Sequence, residues 1–209
     1  MRVRLLYYSF IMIACCASCV KPGPMPFPSN QTTQYMTQEF KDYTDFKAGS
    51  YWVYEKFGDT AIKDSIIVSY HHQFIDSIHF LPDGPPRYEE FSDTLISSID
   101  GKFTGDGNGL NDDYQLQYPN WPNDETTYFT PISGVQLDEW GNMTLSNPSD
   151  NLTVAGHQYQ SVKAFSVNPN GGYKVVSPIT NIWWARNIGV IEKTVPGTTW
   201  QLIKYHVVQ

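Results

Sequence analysis

Along most of the chain beyond Gly49, apolar and polar residues alternate with a period of two, the pattern of strands that bury one face. Gly49-Ser50-Tyr51-Trp52-Val53-Tyr54 begins the series. Ile66, Val68 and Tyr70 alternate with Ile67, Ser69 and His71, while Phe91, Leu95 and Ile99 share one parity. Tyr114, Leu116 and Tyr118 alternate with Gln115 and Gln117. A spacing close to the helical period occurs only at residues 37–46, where Phe40, Tyr43 and Phe46 recur every third residue and predict one or two helical turns. Asn170-Gly171-Gly172 and Pro196-Gly197-Thr198 are turn signals, the second between IGVIEKTV and TTWQLIKYHVV in an expected closing hairpin. Evenly spaced short strands without intervening helices predict an all-β fold, an antiparallel curled sheet or barrel-like meander with at most one short N-terminal helix. Residues 100–127 interrupt the rhythm with four glycines, two prolines and six acidic residues, and read as a long polar loop.

The first twenty positions follow a different plan. Arg2 and Arg4 precede an apolar run at residues 5–14 that ends in the small residues Ala14, Ala17 and Ser18, the layout of a secretory signal. The run is too short to cross a bilayer, because Lys21, Pro22 and Pro24 end it well before about twenty residues. Cys15, Cys16 and Cys19 all fall here, so no disulfide framework is available to the rest of the chain. Cys16-Ala17-Ser18-Cys19 resembles the bacterial lipobox, in which a diacylglycerol is attached to the last cysteine; Cys19 is the expected lipidation site and Cys15 the alternative. Pro22, Pro24, Pro26 and Pro28 then stand at every second position, which excludes helix and favours extended polyproline-like chain. The expected organisation is a lipoprotein signal peptide at 1–18, a proline-rich tether at 19–38 and a single β-rich domain at 39–209.

Composition narrows the class. Charged residues make up 17%, and 14 Tyr, 11 Phe and 6 Trp favour half-buried sheet surfaces. The formal charge of −7 falls to −9 when Arg2 and Arg4 leave with the signal, so the basic footprint of a nucleic-acid binder is missing. The expected partner is a membrane, reached through the N-terminal lipid; no nucleic acid is expected.

Three segments together resemble a group of secreted β-rich lipoproteins of Bacteroidetes. They are Asp42-Tyr43 through Phe46-Lys47-Ala48-Gly49-Ser50-Tyr51-Trp52-Val53-Tyr54, then Gly156-His157-Gln158-Tyr159-Gln160-Ser161-Val162, and finally Trp184-Ala185-Arg186-Asn187-Ile188-Gly189-Val190-Ile191-Glu192-Lys193. Thr44 and Asp45 stand where that group has Phe-Pro. The resemblance implies a β-sheet fold and an exported, outer-membrane address, and carries no catalytic residue. Thr60, Ser65, Ser77 and Thr94, each preceded by Asp and followed by a small or aliphatic residue, also resemble the O-glycosylation sequence of those bacteria.

Candidate chemistry is sparse. No H-E-x-x-H, H-x-H or G-x-S-x-G occurs, and His71, His72, His79, His157 and His206 read as strand or loop histidines. Asp106, Asn108, Asn111, Asp112 and Asp113 supply the hard oxygen donors that calcium prefers, although Leu110 breaks the EF-hand order. Tyr118, Trp121, Tyr128 and Trp140, with Phe129, are rings in or near polar segments, suited to stacking on a sugar face while amides bind hydroxyls. The expected function is that of a membrane-anchored envelope lipoprotein with a ligand-binding or structural β domain and no cofactor. The alternatives are a carrier of apolar cargo inside the curl and a glycan hydrolase, whose two carboxylates would need a separation of about 5 to 9 Å across a cleft.

Overall fold

The computed structural model describes residues 32–77, 87–110, 112–117, 126–129, 143–145, 149–167, 179–195 and 197–209. The strands are β1 (Thr33–Gln34), β2 (Tyr51–Lys56), β3 (Asp59–Ser77), β4 (Arg87–Ser97), β5 (Gly101–Asn108), β6 (Asp113–Gln117), β7 (Thr126–Phe129), β8 (Met143–Leu145), β9 (Ser149–Val154), β10 (His157–Val167), β11 (Asn181–Ala185), β12 (Gly189–Val195) and β13 (Thr198–His206), with one helix, α1 (Gln38–Thr44). They form one 13-stranded sheet in the order β7-β6-β5-β4-β3-β2-β13-β12-β11-β10-β8, with β9 on β10 and β1 on β4. The β1–β4 pair is parallel and the remaining pairs are antiparallel. Among the described residues no helix is long and apolar enough to cross a membrane.

The sheet is curled and its end strands do not pair with each other. Tyr114 on β6 and Trp184 on β11 are seven strand steps apart in the sheet order, which in a flat sheet is roughly 34 Å at about 4.8 Å per step. Their ring centroids lie 5.5 Å apart, edge to face. Only a sheet that wraps around its buried face brings them together. That face carries the core, including Trp52, Tyr54, Val68, Phe91, Phe165, Ile182, Trp184, Ile191 and Leu202.

Helix α1 lies against the same face and ties the two sides of the curl together. Thr37 caps it by accepting the Phe40 N–H at 3.2 Å. Toward β10 and β11, the Tyr43 hydroxyl donates to the Ser161 carbonyl at 2.9 Å, and Arg186 Nε donates to Asp42 at 2.8 Å. Toward β4, Lys41 pairs with Glu89 at 2.8 Å and Phe40 packs on Phe91. The helical spacing and its place were legible in the sequence; the helix itself is shorter than residues 37–46.

Two features depart from the simple alternation. A bulge at Ser69 shifts the register of β3 against β4 between Val68 and Tyr70. It reverses parity, so Tyr70 is 56% exposed and His71 turns inward, opposite to what strict alternation implies. The expected long loop at residues 100–127 contains strands β5 and β6 and reaches β7. Gly105 and Gly107 sit on the buried face of β5, where a Cβ at Gly105 would run into the Tyr114 hydroxyl and one at Gly107 into the Phe91 ring. The glycines mark close ring-to-backbone packing within a strand, and not a turn.

Candidate functional site

At one end of the curl, the start of β10, the β11–β12 turn and the end of β13 enclose a groove of about 340 Å³. A register shift between Leu202 and Lys204 in the β13–β2 pairing re-aims the last residues of β13. The groove is lined by His157, Gln158, Tyr159, Ile188, Ile203, Lys204 and Tyr205. Tyr205 is 42% exposed, whereas Tyr159 is buried and its hydroxyl lies 3.5 Å from the Leu202 carbonyl. Burial, and secondarily Tyr205, raise the Tyr159 phenol above its ordinary value, so it stays a hydrogen-bond donor at neutral pH. Lys204 contributes its stem, since its Nζ stands over the Tyr51 ring, 5.8 Å from the centroid, and among the described residues no carboxylate lines the groove.

A second space lies inside the curl, beneath α1. Its volume is about 70 Å³, and its walls include Tyr43, Phe46, Trp52, Leu95, Phe103 and Trp184. Among the described residues, one cation, Lys193, lines it. The Lys193 and Asp64 side chains are 6% and 3% exposed, and Nζ stands 3.6 Å from Asp64 Oδ2 and 5.3 Å from the Tyr54 ring centroid. Ser97 and Ser98 donate to Asp64 Oδ1 at 2.7 and 3.1 Å. Burial lowers the Lys193 ammonium below its ordinary value, opposed by the charges of Asp64 and Asp100.

The third cluster joins the segment after α1 to the sheet. His71 Nδ1 lies 2.7 Å from Asp93 Oδ1, and its Nε2 lies 3.2 Å from Lys47 Nζ and 3.5 Å from Asp45 Oδ1. Lys47 in turn pairs with Asp45 at 2.7 Å. Asp45 and Asp93 thus stand at the two nitrogens of one imidazole. Burial raises the Asp93 carboxyl to about 6, partly offset by the hydrogen bond and charge of His71, with Asp45 and Asp106 adding to the rise.

A raised folded-state carboxyl contributes stability that is fully present below the unfolded value near 4 and is lost as pH rises through about 6. Ionising the buried group therefore costs about 3 kcal/mol by pH 7.5. Asp93→Asn keeps an acceptor for His71 but cannot ionise. Because that cost is already net of the His71 hydrogen bond and charge, the variant is expected to exceed the wild type by about 3 kcal/mol at pH 7.5 and by only about 1 kcal/mol at pH 4.5. Urea unfolding at both pH values checks this; an unchanged difference between them would refute it.

The residues singled out from the sequence are dispersed. Cys15, Cys19, Asn111, Tyr118, Trp121 and Trp140 lie outside the described residues, and Tyr128 is placed only as a β7 residue opposite Gln115. Asp112 receives the Thr37 N–H at 3.0 Å and the Thr37 hydroxyl at 2.7 Å, while Asn108 Oδ1 accepts the Leu110 N–H at 2.7 Å. Asp106 is hydrogen-bonded by Ser92, and Asp113 opens β6. These bonds fasten the β5–β6 turn to the start of α1. Among the described residues no group of three or more His, Cys, Asp or Glu side chains is placed to hold a metal ion.

Thr60 and Ser65 are exposed on β3 and Thr94 is half-buried on β4; Ser77 is the last residue of β3. The aspartates before Ser65 and Thr94 are the buried Asp64 and Asp93, whose oxygens serve the polar clusters above. The groove, Lys193 and the His71 cluster were not found as sites from sequence, because each joins residues from strands distant in the chain. The only sequence signal was Lys193 itself, a charge on the otherwise apolar parity of IGVIEK. No family model matches the chain, and neither a curated protein nor a solved structure matches it.

Proposed function

We propose that the chain is a lipid-anchored outer-membrane protein whose β-sheet head binds a glycan in the groove between β10 and β13. The groove carries the reading. Its volume of about 340 Å³ falls within the range of small-molecule sites, roughly 300–1,000 Å³. Tyr205 offers a ring face, the neighbouring Tyr159 a phenol and His157 a ring nitrogen, groups suited to stacking on a pyranose and binding its hydroxyls. This is the chemistry expected of the polar aromatic segments, placed on other residues. The anchor is supported by the lipobox-like Cys19, with Cys15 as the alternative, and by the prolines that follow at 22–28; the head begins before residue 39, because β1 pairs with β4 and Met36 is buried in the core.

The test uses full-length protein extracted from membranes in detergent. Its intact mass is expected to carry a diacylglycerol, and titration against a glycan panel is expected to find a ligand whose affinity falls about tenfold in Tyr205→Ala. An unmodified mass would remove the anchor. A panel without a ligand, or one bound equally by the variant, would remove the glycan site.

The pocket beneath α1 favours a second reading, the carriage of apolar cargo. It is lined by aromatic and aliphatic side chains and limits the cargo to a small molecule, since its volume of about 70 Å³ is roughly half that of an engineered cavity that admits benzene.

A further inference from the structure

We propose that Lys193 is a covalent docking point for a short apolar aldehyde, held as an imine in the pocket beneath α1. The proposal rests on the cargo reading of that pocket and adds the chemical class of the ligand.

Three features of the site meet the needs of imine formation. The Lys193 side chain lines an apolar, half-enclosed space and its Nζ stands 5.3 Å from the ring centroid of Tyr54 in the same wall, so a carbonyl carbon entering beside that ring meets the nitrogen with little competing water. Burial lowers the ammonium, which gives Lys193 a larger neutral fraction than a solvated lysine has. Acidic groups stand beside it: Asp64 at 3.6 Å, and Asp100, whose carboxyl burial raises and Lys193 lowers. A carboxyl of raised affinity for protons is suited to carrying the proton in the dehydration step, while Asp64, fixed by Ser97 and Ser98, balances an iminium charge.

The chemistry closes without an added oxidant or reductant. The Lys193 lone pair forms a C–N bond to the carbonyl carbon as the C=O π pair moves to oxygen, and one N–H proton passes through the neighbouring carboxyl to that oxygen to give a neutral carbinolamine. The carboxyl then protonates the hydroxyl, the C–O bond breaks and water leaves, and the second N–H proton returns to the carboxylate, so that a neutral imine remains. Overall, amine and aldehyde give imine and one water. The space of about 70 Å³ suits an aliphatic aldehyde of about four carbons and is too small for a lipid chain.

Full-length protein incubated with butanal and cyanoborohydride, which fixes an imine as a secondary amine, is then digested and mapped by mass. The expected result is butylation of Lys193 at least about tenfold above that of the other nine lysines, which serve as internal references. Cyclopentane, of similar size and without a carbonyl, is expected to shift the tryptophan fluorescence of the pocket and to suppress the Lys193 adduct. If cyclopentane binds but butylation is spread evenly over the lysines, the imine proposal fails and the cargo reading stands. If neither molecule enters, both fail. The experiment needs no substitution at Lys193, so an unfolded variant cannot imitate either result.

Discussion

Gly107→Ala is expected to lower the unfolding free energy by about 3 kcal/mol, the upper end of the usual cost of overpacking a core. The residue is the last but one of β5, still paired on both sides, and has no positive φ, so alanine strains no backbone dihedral. The cost is steric. An added methyl would enter the Phe91 ring, against its Cε1, Cζ and Cδ1 atoms. Phe91 is almost fully buried between Phe40, His71 and Tyr114, whose ring centroids stand 6.5, 5.7 and 6.0 Å away, so it cannot swing aside. Thr104→Ala, on the opposite face of the same strand, is expected to change stability by no more than about 0.5 kcal/mol. Guanidinium unfolding of the three proteins decides the matter. Equal midpoints would show that Gly107 is a turn-like residue in solution and that Phe91 does not press on β5.

The same strand explains much of what the sequence concealed. Alternation was readable in β2, whose buried face carries Trp52 and Tyr54, and in β4 through Phe91 and Leu95, and the Pro196-Gly197 sequence announced the β12–β13 hairpin. In β5 the buried face alternates Phe103, Gly105 and Gly107, so apolar periodicity disappears where rings from neighbouring strands fill the space. The bulge at Ser69 removed a second signal, placing His71 on the parity that alternation assigns to solvent. Charges at buried positions removed a third: Asp64 and Asp93, which precede the candidate glycosylation residues Ser65 and Thr94, are buried. Sites were harder still to see. Gln158 and Tyr205 share one groove across 47 positions of sequence, and no local pattern encodes the curl that joins them.

Lys193→Met is expected to destabilise the protein by about 3–5 kcal/mol, the range for removing one partner of a buried ion pair. Methionine fits the apolar walls of the pocket, so the loss arises at Asp64. That carboxylate is 3% exposed, and without the lysine it keeps only hydroxyl donors, from Ser97 and Ser98, against the cost of burying a charge. Asp64→Asn with Lys193→Met removes both charges and retains an acceptor for the two serines. The double variant is expected to return to within about 1 kcal/mol of the wild type, because two charges taken from water recover little more than their own desolvation. Additive losses would mean that the two groups do not interact and that their separation of 3.6 Å is incidental. A strong coupling would show that the lysine is held charged by Asp64 for most of the time. The neutral amine needed for carbonyl chemistry would then be the minor form, drawn out by the aldehyde as the imine is made, and butylation would slow as Asp64 keeps its charge and hasten in Asp64→Asn.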